Sequence, residues 1–318
     1  MRVVIRAAGG PRRGFGHLVR CARLAEALGV RPVLSVRGGR EARRVAARLG
    51  HRVVGGTAAQ VLAREAPDLV VVDDPNRAAA ERWCRAARRH RTPVASVHDL
   101  GLGRCDSDLE IDGSIRPLRG RRAGRTLAGP RYAVLDPALA ALRGRRRAPA
   151  TPRVLIALGG GARAGLAWKL GRQIAGRRPD VDVRVAGGFV AAPPRTAMAN
   201  LRWLPPTDGL ARELAASTVA LVAGGVTLYE ACCLGVPAVA AAVVDRQRPT
   251  IRAFAAQGAA IDAGSARHGA RAVQAVLALL DDTGRRRTLG RRARARIDGR
   301  GIWRVAEALE RLGARRRG

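Results

Sequence analysis

Apolar and polar residues along this chain fall in blocks that switch between two periods. The runs "RPVLSV" (31–36), "DLVVVDD" (68–74) and "TPVASVHD" (92–99) predict buried strands, and "SDLEIDGS" (107–114) a further short one. Helical spacing lies between them. After His17, apolar residues recur at Leu18, Cys21, Ala22, Ala25 and Leu28, one buried face of a helix. Strand–helix repetition of this kind implies a parallel sheet covered on both sides. The alternation then stops. The charged, Pro-containing stretch 137–152 reads as a linker. It restarts with "VLIALGGG" (154–161), a helix near 165–176, "VDVRVAGG" (181–188), "NLRWLPP" (200–206), "TVALVAGG" (218–225) and "PAVAAAVV" (237–244). From about 266 the chain is helical and Arg-rich. The expected fold is α/β, two Rossmann-like domains at 1–136 and 153–318 facing a central cleft, with the last helix returning to the first domain.

Glycines mark where such domains bind ligands. In "MRVVIRAAGGPRRGFGH" a short strand runs into a loop that ends at His17, where the helix begins. Gly14 and Gly16 let a ligand approach bare backbone, and the helix amides that follow favour an anion. A histidine placed there faces that ligand. In the second half, "ALGGGARAG" (157–165) offers Gly159, Gly160 and Gly161 as a diphosphate or sugar cradle. "AGGVTLYEACCLGVPAVAAAVVDRQ" (223–247) reads as a Gly-Gly loop, helix, turn, strand and polar tip. There Gly224 and Gly225 form the loop. Thr227 can cap the helix and meet a phosphate, the Glu230 carboxylate can accept two ribose hydroxyls, and Gln247 can reach a sugar hydroxyl. Neither half has a complete dinucleotide fingerprint or a P-loop, so NAD is not expected.

Composition changes the picture in two places. The 318 residues carry a net charge of +34, nearly all of it arginine, with Lys169 the only lysine. Basic clusters at Arg119, Arg121 and Arg122, at 145–147, 285–287 and 315–317 are scattered, without interleaved aromatics for base stacking. Alanine and glycine are abundant too, so codon bias accounts for the arginine, and no nucleic-acid partner is expected. Five cysteines without metal-type spacing read as reduced thiols of a cytoplasmic protein. No apolar run is long enough for a membrane span, and the start reads as a strand, not a signal segment. No carboxylate cluster with His or Cys partners suggests a metal, and no cofactor is expected. Oligomeric state is unspecified.

"GGVTLYEACCLGVPAVAAAVVDRQ" resembles the nucleotide-sugar signature of GT-B enzymes of the MurG type. Together, "GFGHLVRCARLAEAL", "LAGPRYAVL" (127–135) and "ALGGG" resemble the PseG/SpsG family over residues 1 to about 265. The resemblance implies a GT-B fold and a UDP-sugar substrate. It implies a hydrolase that releases UDP from a UDP-linked 2,4-diacetamido-2,4,6-trideoxy sugar on the route to pseudaminic acid, or a relative in surface-polysaccharide synthesis. It places the catalytic base at His17, with Arg20 of the same motif and Asp73 expected to bind the substrate. Glu230 falls on ribose, Gly225 and Thr227 on the diphosphate, and Gln247 on the sugar side. Asp73 is retained from the family's "VDHY". The chain departs from the pattern at Ala8, Asp74, Pro75, Asp136 and Arg246, mainly on the sugar-facing side. An inverting glycosyltransferase, or an inactive nucleotide-sugar binder, fits the same motifs.

Overall fold

The computed structural model describes residues 1–10, 14–99, 102–118, 123–147, 149–160, 163–188, 197–205 and 209–314. Gly161, one of the expected cradle glycines, and the arginines at 119, 121, 122 and 315–317 lie outside them. The chain divides into two compact units, Met1–Pro137 with Arg300–Gly318, and Ala138–Gly299.

In the first unit the strands are β1 (Val3–Ala8), β2 (Val33–Arg37), β3 (Arg52–Val54), β4 (Leu69–Asp73), β5 (Val94–His98), β6 (Ser107–Asp112) and β7 (Ala123–Ala128). They form one parallel sheet in the order β3-β2-β1-β4-β5-β6-β7. The central strand β4, "LVVVD", is buried at every position, as a strand covered on both sides must be. The second unit repeats the plan. Its strands are β8 (Arg153–Ala157), β9 (Asp182–Ala186), β10 (Leu201–Leu204), β11 (Val219–Val222), β12 (Ala238–Ala242) and β13 (Ile261–Ser265), in the order β10-β9-β8-β11-β12-β13. In each sheet the order reverses beside the first strand, between β1 and β4 and between β8 and β11. At such a switch point the connections leave in opposite directions and open a crevice at the carboxyl ends of the strands.

Three strands escape the sequence pattern: β3, β7 and β13. Each is at the edge of its sheet. An edge strand needs no continuous apolar run, and "AGRTLA" and "IDAGS" carry glycine and charge accordingly. The expected linker at 137–152 is corrected too. It contains a helix, α5 (Ala138–Arg145), which the second unit holds through fully buried Leu139. Its "ALAALR" start is made of strong helix formers.

The helices that matter to the site are α1 (Gly16–Ala27), α2 (Arg40–Arg48), α3 (Ala58–Glu65) and α4 (Arg77–Arg89) in the first unit. In the second they are α6 (Ala164–Arg177), α7 (Ala211–Ala215), α8 (Val226–Leu234), α9 (Arg248–Ala256), α10 (Ala270–Asp281) and α11 (Thr283–Arg296). The last helix, α12 (Gly301–Ala314), belongs to the first unit. It buries Ile302, Val305, Ala306, Leu309 and Leu312, a stripe at helical spacing, against α1 and β4. Among the described residues, no helix is long and apolar enough to cross a membrane.

The cysteine expectation holds for Cys21, Cys232 and Cys233, which are free and buried. The other two, Cys84 on the inner face of α4 and Cys105 just before β6, lie side by side, with Cα atoms 6.7 Å apart.

Leu309 is fully buried. Leu309→Ala is expected to destabilise the protein by about 2–5 kcal/mol, through lost burial and the cavity left behind. Urea denaturation followed by circular dichroism measures it.

Candidate functional site

The first unit places its chemistry at the switch point. β1 ends in a glycine turn closed by mutual backbone hydrogen bonds between Gly10 and Gly14, at 3.1 and 2.7 Å. Gly14 has φ +85°, a conformation that other residues adopt at a cost. Phe15 then starts α1 without any side-chain cap, which puts His17 in the first turn.

Asp73, the last residue of β4, pairs in register with Ala7 of β1 and so comes up beside this turn. Its oxygens are fully engaged. His17 Nδ1 lies 2.7 Å from Oδ1. Arg20 donates from Nε to Oδ2 at 2.8 Å and from Nη2 to Oδ1 at 2.6 Å. The Cys21 thiol approaches Oδ2 at 3.6 Å. Burial alone would raise the Asp73 carboxyl, but the charge of Arg20 and the hydrogen bonds from Arg20 and His17 hold it far below the usual carboxylate range. An ionised carboxylate only accepts hydrogen bonds. The 2.7 Å contact is therefore a donation from His17 Nδ1–H, which leaves Nε2 as the ring nitrogen that can accept a proton. The same logic orients the histidine of acid–base dyads in hydrolases.

Asp73 and Arg20, expected to bind substrate, are thus committed within the protein. Both are buried, and Arg20 also donates to Asp99 at 2.7 Å. Both contact the Nδ1 edge of His17, whose side chain is 25% exposed. A second histidine of this unit, His98 at the end of β5, is fully buried. Its Nε2 faces Glu110 Oε1 at 2.7 Å, so it cannot meet a substrate.

The next residue, Asp74, points to the other side of β4, as strand alternation requires. Arg37 grips it with Nε at 2.9 and 2.7 Å, Arg6 donates at 3.2 Å, and the Asn76 amide at 3.0 Å. Asp136 likewise pairs with Arg23 of α1 at 3.3 Å. Two of the departures from the family pattern therefore face partners inside the chain.

In the second unit the glycine turns also flank the switch point, since Ala157 of β8 is in register with Val222 of β11. Gly159 and Gly160 follow β8, and Gly224 and Gly225 follow β11. Gly225 is the N-cap of α8, with no side-chain cap. Thr227 therefore sits inside the first turn and does not cap the helix, contrary to expectation. Glu230 comes three residues later, on the same face one turn on. Gln247 folds back over the Gly-Gly turn. A Cβ on Gly224 would come within 3.0 Å of its Cβ, and one on Gly225 within 3.9 Å of its Nε2. Its Oε1 accepts from the Val243 amide at 3.0 Å, which turns the amide nitrogen toward Gly225. So Gly224, Gly225 and Gln247 converge.

The sequence reading did not single out Arg163, the N-cap of α6. Burial and the charge of Arg246 push its guanidinium below the usual value. Two cations thus lie close together at the glycine-turn end of this sheet. The "GGGAR" run held the signal, since the arginine follows the cradle directly. Among the described residues, no group of three His, Cys, Asp or Glu side chains is arranged for a metal.

No family model matches the chain. It is 28% identical to the spore coat polysaccharide biosynthesis protein SpsG of Bacillus subtilis, over 98% of each chain. Its fold is GT-B. The Staphylococcus aureus MnaA–UDP structure matches with a TM-score of 0.67 at 14% identity, over 98% of this chain and 96% of that one. The glycosyltransferase SnogD from Streptomyces nogalater matches with a TM-score of 0.67 at 20% identity, over 98% and 99%.

Asp73→Asn is expected to cost about 3 kcal/mol, because the buried Arg20 loses one of its two carboxylate partners and keeps only the half-exposed Asp99. The sign of the pH effect follows from the depressed carboxyl. Its stabilisation is complete above the unfolded value of about 4 and drains away as pH falls below it. Denaturation between pH 7 and 3 should show wild-type stability falling more steeply than that of Asp73→Asn.

Proposed function

Taking the SpsG-like sequence and the GT-B fold as premise, we propose that this chain is an enzyme of polysaccharide biosynthesis that acts on a UDP-sugar, with His17 as its general base. The observation that carries this reading is the donation from His17 to Asp73, which leaves Nε2 free to accept a proton. In the leading reading the nucleophile is water. Nε2 takes its proton as the oxygen attacks the anomeric carbon. The bond from that carbon to the diphosphate oxygen breaks, and its electron pair leaves with UDP. The glycine turns of the second unit and the amides opening α8 suit the diphosphate. Thr227 adds a hydroxyl, Glu230 takes the ribose, and Gln247 reaches toward the sugar. The likeness to a solved structure carrying UDP supports that choice of nucleotide.

A sugar hydroxyl in place of water turns the same chemistry into an inverting glycosyl transfer. The likeness to SnogD, a glycosyltransferase, favours that second reading. The sugar is an amino-deoxy sugar in our reading. Asp74 and Asp136 are held by arginines of the chain, so sugar recognition differs there from the family pattern. UDP release from a UDP-amino-deoxy-sugar without any acceptor supports hydrolysis. Release only on adding an acceptor supports transfer.

His17→Asn is expected to lower kcat by about a hundredfold to ten-thousandfold with UDP affinity nearly unchanged. His98→Asn should lower stability and leave kcat in place; the opposite pair of results moves the base to His98. Glu230→Ala should weaken UDP binding in a calorimetric titration, and a folded variant with unchanged affinity removes it from the ribose site. Turnover should persist in EDTA, since phosphate recognition is assigned to backbone amides.

A further inference from the structure

The arginine clusters at 145–147 and 285–287 are far apart in the sequence, yet they meet in the second unit. Arg146, Arg286, Arg287, Arg291 and Arg294 line a cavity of about 760 Å³. Pro152, Thr218 and Pro237 also line it, and they precede β8, β11 and β12. The cavity is therefore at the amino ends of the strands. The glycine turns follow the carboxyl ends, at the opposite end of the sheet.

Arg146 and Arg286 are half-buried, while Arg287, Arg291 and Arg294 are exposed, and Arg286 donates to the Leu279 and Leu280 carbonyls and the Thr283 hydroxyl. No acidic residue lines the cavity, and none of the five arginines pairs with a carboxylate among the described residues. Arg146 is the most telling. One nitrogen, Nη2, donates to the Ser217 carbonyl at 2.7 Å, while its buried Nε has no partner among the described residues. Burial and the charge of Arg294 both disfavour its cationic form. On α11, residues 287, 291 and 294 recur at i, i+4 and i+7, so three like charges share one helix face, a spacing that weakens a helix. A buried donor such as the Arg146 Nε is costly to leave unpaired, and like charges crowded on one face repel unless an anion joins them.

We propose that this cavity is a second ligand site, for a small anion carrying two or more phosphoryl groups. Guanidinium groups bind phosphoryl oxygens through paired hydrogen bonds. The volume suits a small molecule. No aromatic side chain lines the cavity, so it lacks the stacking platform that a nucleic-acid strand needs.

The test uses the full chain with inorganic pyrophosphate, and separately UDP, titrated by calorimetry at constant ionic strength. Pyrophosphate is expected to bind the wild type, and Arg287→Gln/Arg291→Gln, both exposed, to weaken it at least tenfold. Arg146→Gln should weaken it as well. UDP affinity unchanged in the double variant assigns the site to a phosphate free of nucleoside. UDP weakened in parallel assigns it to a nucleoside diphosphate. The proposal is overturned if pyrophosphate does not bind at millimolar concentration in about 0.15 M salt, or if it binds the folded double variant as well as wild type. Displacement of pyrophosphate by short single-stranded DNA at a lower concentration than by UDP also overturns it.

Discussion

Asp73 has almost no access to water, and its charge survives because Arg20 covers it with two hydrogen bonds. Much of the first unit's active end depends on that pair. The arginine comes from the second turn of α1 and the carboxylate from the tip of β4, so their contact fixes how the helix leaves the glycine turn. His17 lies one turn before Arg20 on the same helix face and is carried to the same carboxylate. Position, tautomer and exposure of the imidazole are thus consequences of one buried ion pair. Breaking it would leave a buried charge without its main partner, which is far more costly than losing a surface pair.

Much of this was legible in the sequence because parallel strands buried on both sides must be apolar, and their ligand turns must be glycine. β1, β4, β8 and β11 and the turns after them follow directly from "VVIRAAGG", "DLVVVDD", "VLIALGGG" and "TVALVAGG". The edge strands β3, β7 and β13 were not legible, since one-sided pairing relaxes the demand for apolar runs. The roles of Arg20 and Asp73 were hidden for another reason. A sequence motif shows which polar residues are kept near a site, but not which of them spend their hydrogen bonds on each other. Only the register of β1 against β4 reveals that. Thr227 illustrates the same limit at one-residue scale, where the cap falls on Gly225 and the hydroxyl enters the helix.

Two adjacent carboxylates at the end of β4 are treated in opposite ways by strand geometry. Asp73 faces α1 and orients a histidine. Asp74 faces β2 and is held by Arg6 and Arg37, with the Arg6 guanidinium also 5.6 Å from the Trp83 ring centroid. The family pattern has a histidine where Asp74 stands. Here that position has become an internal strut, so the residue cannot serve a ligand without giving up two arginines.

The path of the chain through the units has a consequence for synthesis. The first unit is discontinuous: it takes residues 1–137 and then waits for α12, after 162 residues of the second unit have been made. While it waits, the α1 and β4 surfaces that α12 covers are exposed on the nascent chain. The second unit is continuous and can close as soon as its own last helix leaves the ribosome. The part synthesised first is therefore the part completed last, and a chain truncated near its end would leave the histidine-bearing unit unfinished beside an intact second unit.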